Sequence, residues 1–246
     1  ISQQELQISN VVPSSITLDP ISADSRINIA DQTAGVTVQG STTAEVGSTV
    51  FITGMDGNSY SATVFAAESG AKRFSVVIPN SAIRQLQSGQ KTVTARVTDT
   101  FGNSKDSEPQ TVEVDFTAPT VAITGTKTTL GLGESDTVTF TLSEDSTDFS
   151  NEDIVVTGGT LSSLTGSGRN YSATVTRTNT TQSNVTVFVD SGKFRDASGN
   201  ANDDGTNADN TKIFGFNNTG NDSINGGNGN DTLDGGDGND TLDGGD

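Results

Sequence analysis

Cysteine, histidine and tryptophan are all absent from the 246 residues, and methionine occurs once. Without cysteine there is no disulfide to stabilise the chain and no thiol nucleophile. Without histidine, zinc-histidine proteases and Ser-His-Asp triads are excluded within this chain. Glycoside hydrolysis by paired carboxylates needs neither residue. With no tryptophan and only two tyrosines, however, the aromatic platform for a sugar is missing, and the chain reads as no enzyme. Basic residues are scarce too. Thirteen Lys and Arg face thirty-one Asp and Glu, for a net charge of −18. Dispersed cations cannot neutralise a phosphate backbone, so nucleic acid is no partner, and an anionic membrane surface would repel the chain. No apolar run approaches a transmembrane span, and no charged-then-apolar signal segment opens the sequence. It stops inside a repeat, at Gly244, Gly245 and Asp246, and reads as an excerpt of a longer protein. What so many carboxylates do suit is a hard cation, calcium above all.

Apolar residues make up 30 % of the chain, below the globular average, but they alternate in short runs, and small β-domains fold on that pattern. Helical spacing is confined to Pro79 to Gln87, a turn or two. Alternation marks strands at Val36 and Val38, Val50 and Ile52, Tyr60 to Val64, Phe74 to Ile78, Val93 to Val97, and Val112 to Phe116. Turn chemistry separates them, as at Asp56-Gly57-Asn58 and Ser69-Gly70. About seven short strands in roughly a hundred residues predict a β-sandwich. Pro119 then closes a short stiff linker, and the pattern restarts at Val121 and Ile123. It continues through Val138 to Leu142, Ile154 to Val156, Tyr171 to Val175, Val185 to Val189 and Ile213 to Phe216. Both halves carry Asp-x-x-Gly-Asn after a late strand, at Asp99 to Asn103 and at Asp196 to Asn200, a hairpin turn in which glycine supplies a positive φ. The boundaries that follow are a lead-in over 1–19, sandwiches over 20–116 and 117–216, and a tail over 217–246.

On these motifs the halves resemble the tandem bacterial immunoglobulin-like domains of giant adhesins and biofilm-associated surface proteins. The first carries Ala34 to Val38, Tyr60 to Val64, and Val93 to Asp99 with Gly102 and Asn103. The second carries Thr117 to Val121, Val138 to Phe140, Gly158 to Leu161 and Asp196 to Asn200. Such domains act mostly as spacers, so the resemblance implies extension rather than catalysis.

The tail carries the clearest signal. Gly226-Gly227-Asn228-Gly229-Asn230-Asp231-Thr232-Leu233-Asp234 is followed by Gly235-Gly236-Asp237-Gly238-Asn239-Asp240-Thr241-Leu242-Asp243. Both match the Gly-Gly-x-Gly-x-Asp-x-U-x nonapeptide of repeat-in-toxin (RTX) proteins. Asn217 to Asn225 is a weaker copy that keeps Gly220, Asp222 and Ile224. Glycines allow a tight turn with inward carbonyls, Asp222, Asp231 and Asp240 add carboxylates at a period of nine, and calcium accepts six to eight such oxygens. The expected ligand set is therefore Gly220, Asp222, Gly226, Gly227, Asn228, Gly229, Asp231, Gly235, Gly236, Asp237, Gly238 and Asp240. The RTX resemblance implies a parallel β-roll in which each ion lies between turns two nonapeptides apart. The whole chain is thus expected to be all-β: two Ig-like sandwiches and the start of a calcium-bound roll. Seven aspartates with no basic partner fill 217–246, so folding there should depend on metal.

A second calcium site is expected near the linker. In a sandwich successive strands reverse, so the loops after Thr137 to Ser143 and after Asn184 to Asp190 return to the end where Val121 leaves. They carry Glu144, Asp145 and Asp148, and Asp196, Asn200, Asp203 and Asp204, while the linker adds Asp115. The expected set is Asp115, Glu144, Asp145, Asp196 and Asn200. The resemblances imply a secreted, extracellular or cell-surface segment exported by type I secretion, with calcium and an unknown surface or matrix ligand as partners. An S-layer or matrix lattice protein, and an accessory region of a secreted RTX enzyme whose catalytic domain lies outside the chain, share this composition. An ice-binding roll is disfavoured, because Thr219 is followed at the same position by Asn228 and Asp237.

Overall fold

The computed structural model describes residues 11–179, 183–216, 221, 223–225, 227–228, 233, 235 and 238–245. Contacts divide the chain into two compact units, Ile1–Thr117 and Ala118–Asp246. Each is built from period-two sequence whose apolar positions face one way.

In the first unit, Val36–Thr42 pairs antiparallel with Ile16–Leu18 on one side and Lys72–Ile78 on the other, and Phe65–Ala66 closes that sheet. The opposing sheet runs Arg26–Ile27, Gln110–Val114, Gly89–Thr98, Thr49–Thr53, Ser59–Thr63, with Ser104–Asp106 folded back on Gly89–Thr98. Val36, Val38, Phe74, Ile78, Val50, Ile52, Val93, Ala95 and Val97 point between the sheets and are buried. The strand Ile16–Leu18 lies in the stretch that alternation assigns to a lead-in. Three residues are too few to display a period, and only the pairing Ile16 with Thr42 reveals it. The expected short helix is present as Asn80–Ile83, with Ile83 fully buried.

The second unit repeats the plan. One sheet runs Val121–Gly125, Ser135–Ser146, Thr165–Arg177, Gly159–Leu161, and the other Thr129–Leu130, Thr211–Phe216, Val185–Val189, Ile154–Thr157. The long strand Ser135–Ser146 alternates strictly, with Val138, Phe140 and Leu142 inward and Thr137, Thr139 and Thr141 outward. Beneath it lies an aromatic cluster that strand periodicity does not reveal. Phe149, on the loop after this strand, sits 5.7 Å from Phe140, 5.1 Å from Tyr171 and 5.1 Å from Phe194, ring centre to ring centre. The Tyr171 hydroxyl donates to the Ser146 carbonyl at 3.0 Å, which satisfies its polar tip where the ring is buried.

In the tail, Ser223–Asn225 and Thr241–Asp243 pair in parallel, Ile224 opposite Leu242. The partners are eighteen residues apart, two nonapeptides per coil. This is the start of a parallel roll.

Two predictions follow from the packing. A Cβ on buried Gly40 would collide with the Thr17 carbonyl oxygen and the Phe74 ring, so Gly40→Ala is expected to destabilise the first sandwich by about 1–3 kcal/mol. Differential scanning calorimetry should show its transition lowered and that of the second unit unmoved. In the second unit, burial pushes the Asp136 carboxyl up, but donation from the Lys127 N–H at 2.9 Å and the Thr126 hydroxyl at 2.6 Å outweighs it and leaves the group below its ordinary 3.8. A depressed folded-state value stabilises above the unfolded pKa and is lost as pH falls through the folded one. Asp136→Asn should therefore flatten the loss of second-unit stability below about pH 4, measured by urea unfolding as a function of pH.

Candidate metal centre

The two Asp-x-x-Gly-Asn turns are built alike. In the first, Asp99 Oδ1 accepts from the backbone N–H of Phe101 at 2.9 Å and of Asn103 at 2.8 Å, and Oδ2 accepts from the Asn103 amide at 2.9 Å. In the second, Asp196 Oδ1 accepts from Ser198 N–H at 2.7 Å and Asn200 N–H at 2.9 Å, and Oδ2 from the Asn200 amide at 3.0 Å. Gly102 and Gly199 take φ of 91° and 83°, the left-handed region where a side chain is strained. The Asn103 amide, aided by the backbone donors, holds Asp99 below the usual carboxylate range.

Their surroundings differ. Asp99 lies in an exposed loop beside Phe101, which is itself exposed, and beside Val11 and Val12. Asp196, Ser198 and Asn200 are buried. A carboxylate oxygen of Glu144 lies within 4.8 Å of one of Asp196. The strand period explains how Glu144 arrives there. After Leu142 points inward, Ser143 points out and Glu144 in, while Asp145 turns outward to Arg169 Nε at 3.2 Å. Asp145, expected among the ligands, pairs with Arg169 at the surface. Asp148 ties the two loops together: its Oδ1 accepts from Arg195 N–H at 2.9 Å and from the Ser146 hydroxyl at 2.8 Å. Asp115 ends its own unit, with its N–H on the Ile27 carbonyl at 2.9 Å and its Oδ1 accepting from Thr117 N–H at 3.0 Å. Two carboxylates held this close repel unless a proton or a cation intervenes, and calcium takes oxygens in irregular arrays.

Of the expected tail ligands, Gly220, Asp222, Gly226, Gly229, Asp231, Gly236 and Asp237 lie outside the described residues. Those described explain the glycines. The Asp240 carboxylate packs so closely on Gly235 that a Cβ there would come to 2.5 Å of its Oδ2. Gly245 stacks on Gly227, eighteen residues earlier, so that a Cβ would collide with the Gly227 carbonyl. Side chains lock the same register: Asn239 N–H donates to Asn221 Oδ1 at 2.8 Å, and the Asn225 amide to Asp243 Oδ2 at 3.0 Å. Among the described residues, one coil is thus stacked on the next at a register of eighteen. No helix is long and apolar enough to cross a membrane among the described residues.

One buried carboxylate escapes the sequence reading. Asp204, grouped there with the other loop acids, is 6 % exposed and accepts the Val121 N–H at 2.8 Å. The signal that marks it is Asn200-x-Asn202-x-Asp204-Gly205, an alternation of oxygen-bearing side chains closed by glycine.

The chain is similar in sequence or fold to known proteins. Residues 115–213 match the model of a bacterial Ig-like domain, and residues 216–246 that of the RTX calcium-binding nonapeptide repeat. No curated protein matches the chain. Among solved structures, a 1.5-MDa bacterial ice-binding adhesin is 17 % identical over 89 % of this chain and 73 % of its own, with a TM-score of 0.52. An Ig-like domain of the M. primoryensis ice-binding adhesin is 24 % identical over 43 % of this chain and all of its own, at 0.32. A Ca2+-stabilised adhesin of an Antarctic bacterium is 18 % identical over 86 % of this chain and 54 % of its own, at 0.44. The first of these supports the fold.

The contact of Gly235 with Asp240 gives a direct prediction. Gly235→Ala should displace Asp240 and weaken calcium binding by the tail at least about tenfold, since ligand position sets calcium affinity. Isothermal titration of the variant against the parent chain measures it. Both sandwiches should melt unchanged.

Proposed function

We propose that this chain, which joins a bacterial Ig-like domain to RTX calcium-binding nonapeptide repeats, serves as an extension segment of a secreted bacterial surface adhesin or biofilm matrix protein. The observation that carries the proposal is the parallel pairing of tail strands eighteen residues apart, downstream of sandwiches that contain neither histidine nor cysteine. Sandwiches of this kind give length and resist collapse. A tail rich in aspartate stays open where calcium is scarce and folds where it is plentiful, since binding energy becomes folding energy. That suits a protein that leaves the cell unfolded and folds outside it.

In this reading the tail calcium ions are held by Asp222, Asp231 and Asp240 with the turn carbonyls of the glycines around them. A further ion sits against Glu144 and Asp196. Calcium there would fasten the loop end of the second sandwich against its own charge.

The test is calcium titration of the whole chain followed by far-ultraviolet circular dichroism. Strand signal is expected to rise with calcium and to fall with chelator, and Asp240→Asn should blunt the change. Glu144→Gln should remove one bound ion and lower the calcium-dependent gain in second-unit melting temperature while leaving the tail transition in place. A strand signal indifferent to calcium would contradict the tail assignment. An unchanged ion count in Glu144→Gln would contradict the second.

A further inference from the structure

The last position of the tail nonapeptides is held in turn by Asn225, Asp234 and Asp243. The first is an amide where the other two are acids. Asn225 and Asp243 face each other across the parallel pair Ser223–Asn225 and Thr241–Asp243. Each side chain bends over its own turn: Asn225 Oδ1 accepts from Gly227 N–H at 2.8 Å, and Asp243 Oδ1 from Gly245 N–H at 3.1 Å. The remaining atoms meet between coils, where Asn225 Nδ2 donates to Asp243 Oδ2 at 3.0 Å. An acid at 225 would put a second carboxylate where that donor stands, and like charges so placed repel.

The residue after Asn225 is glycine. Asparagine is a thermolabile residue, because the backbone nitrogen of the next residue can attack its side-chain carbonyl carbon. Glycine, with no Cβ, obstructs that attack least. The bond from Gly226 N to Asn225 Cγ forms, the Cγ–Nδ2 bond breaks, and ammonia leaves with the proton that the attacking nitrogen gives up. Water then opens the five-membered imide at either carbonyl. The product is aspartate, or isoaspartate, in which the main chain runs through the former side chain. Water is the one co-reactant. Ring closure fixes a backbone dihedral unlike that of an extended strand, so Asn225 is held from reacting while Ser223–Asn225 is paired and Nδ2 is bound. Asn-Gly recurs at Asn228-Gly229, which the pairing does not cover.

We propose that Asn225-Gly226 is a deamidation site guarded by the roll, and that its conversion irreversibly marks a tail that has stood open. The guard rests on the tail reading above, in which calcium stacks the coils. Where calcium is scarce the strand opens and the imide forms. Either product then spoils the stack. Aspartate sets its charge against Asp243, and isoaspartate adds a main-chain atom that takes Gly227 out of line with Gly245, on which it is stacked. The chain thus carries a record of time spent unfolded.

The test ages the whole chain at neutral pH in saturating calcium or in chelator. Fragmentation mass spectrometry locates the conversion of amide to acid, and circular dichroism is recorded on the same samples. Conversion at Asn225 is expected to be at least about tenfold faster in chelator, because reaction proceeds only from the opened strand. Gly226→Ala should slow it there. Asn225→Asp, which carries the product's charge, should need more calcium than the parent for the same strand signal. It should also need more than Asn225→Ala, which removes the bond without adding charge. A strand signal that responds to calcium while Asn225 converts equally in both conditions would overturn the guard and leave the tail reading standing. An Asn225 that stays intact in chelator would overturn the site. An Asn225→Asp chain that folds at the parent's calcium concentration would overturn the mark. A strand signal indifferent to calcium would sink the tail reading and the guard with it.

Discussion

Negative charge without a matching positive charge is the constraint on which the rest of this molecule depends. Thirty-one carboxylates must be accommodated with thirteen bases, and five ion pairs between side chains are formed among the described residues. Those pairs sit at the surface, where each contributes little. Elsewhere the chain neutralises carboxylates with its own backbone. Asp99 and Asp196 are each wrapped by two N–H groups and an asparagine amide, and Asp136 is held by a hydroxyl and an N–H. Glu144 lies within 4.8 Å of Asp196, and at such a pair a cation or a proton relieves the repulsion.

The same constraint orders the parts. The two sandwiches have continuous apolar cores. The tail has almost none: Leu242 is 47 % exposed, and the coil offers a single apolar residue per nonapeptide. Hydrophobic burial cannot outweigh the entropy of ordering so many glycines, so the metal must supply the difference. From the sandwiches to the tail, apolar residues become fewer while glycine and aspartate become more frequent.

Much of this is legible in the residues because strands expose their period. Val36, Val38, Val93, Ala95 and Val97 announce buried faces, but the apolar alternation ends at Leu142 and leaves Glu144 and Asp145 to a loop; the strand runs on to Ser146 and turns Glu144 inward and Asp145 outward. The nonapeptides are legible for the same reason, as a ladder of Gly, Asp and Leu. The eighteen-residue coil is not, because a ladder of nine pairs equally well at nine or eighteen; the RTX resemblance carried that choice, and the pairing of Ile224 with Leu242 agrees with it. Other features have no period to read. Ile16–Leu18 is too short, and Phe149 and Phe194 reach the core from loops. The Asn200-x-Asn202-x-Asp204-Gly205 alternation marks Asp204 in the sequence, but not its partner Val121, eighty-three residues earlier in the chain.

Hydrogen–deuterium exchange of the whole chain, in millimolar calcium and in chelator, tests the central claim most directly. Calcium is expected to protect 217–246 strongly, to protect the loops around Glu144 and Asp196, and to leave exchange across Val36–Thr42, Lys72–Ile78 and Gly89–Thr98 unchanged. Equal protection of the tail in both conditions would contradict the account, because the aspartates would then be held together without the cation that their charge demands.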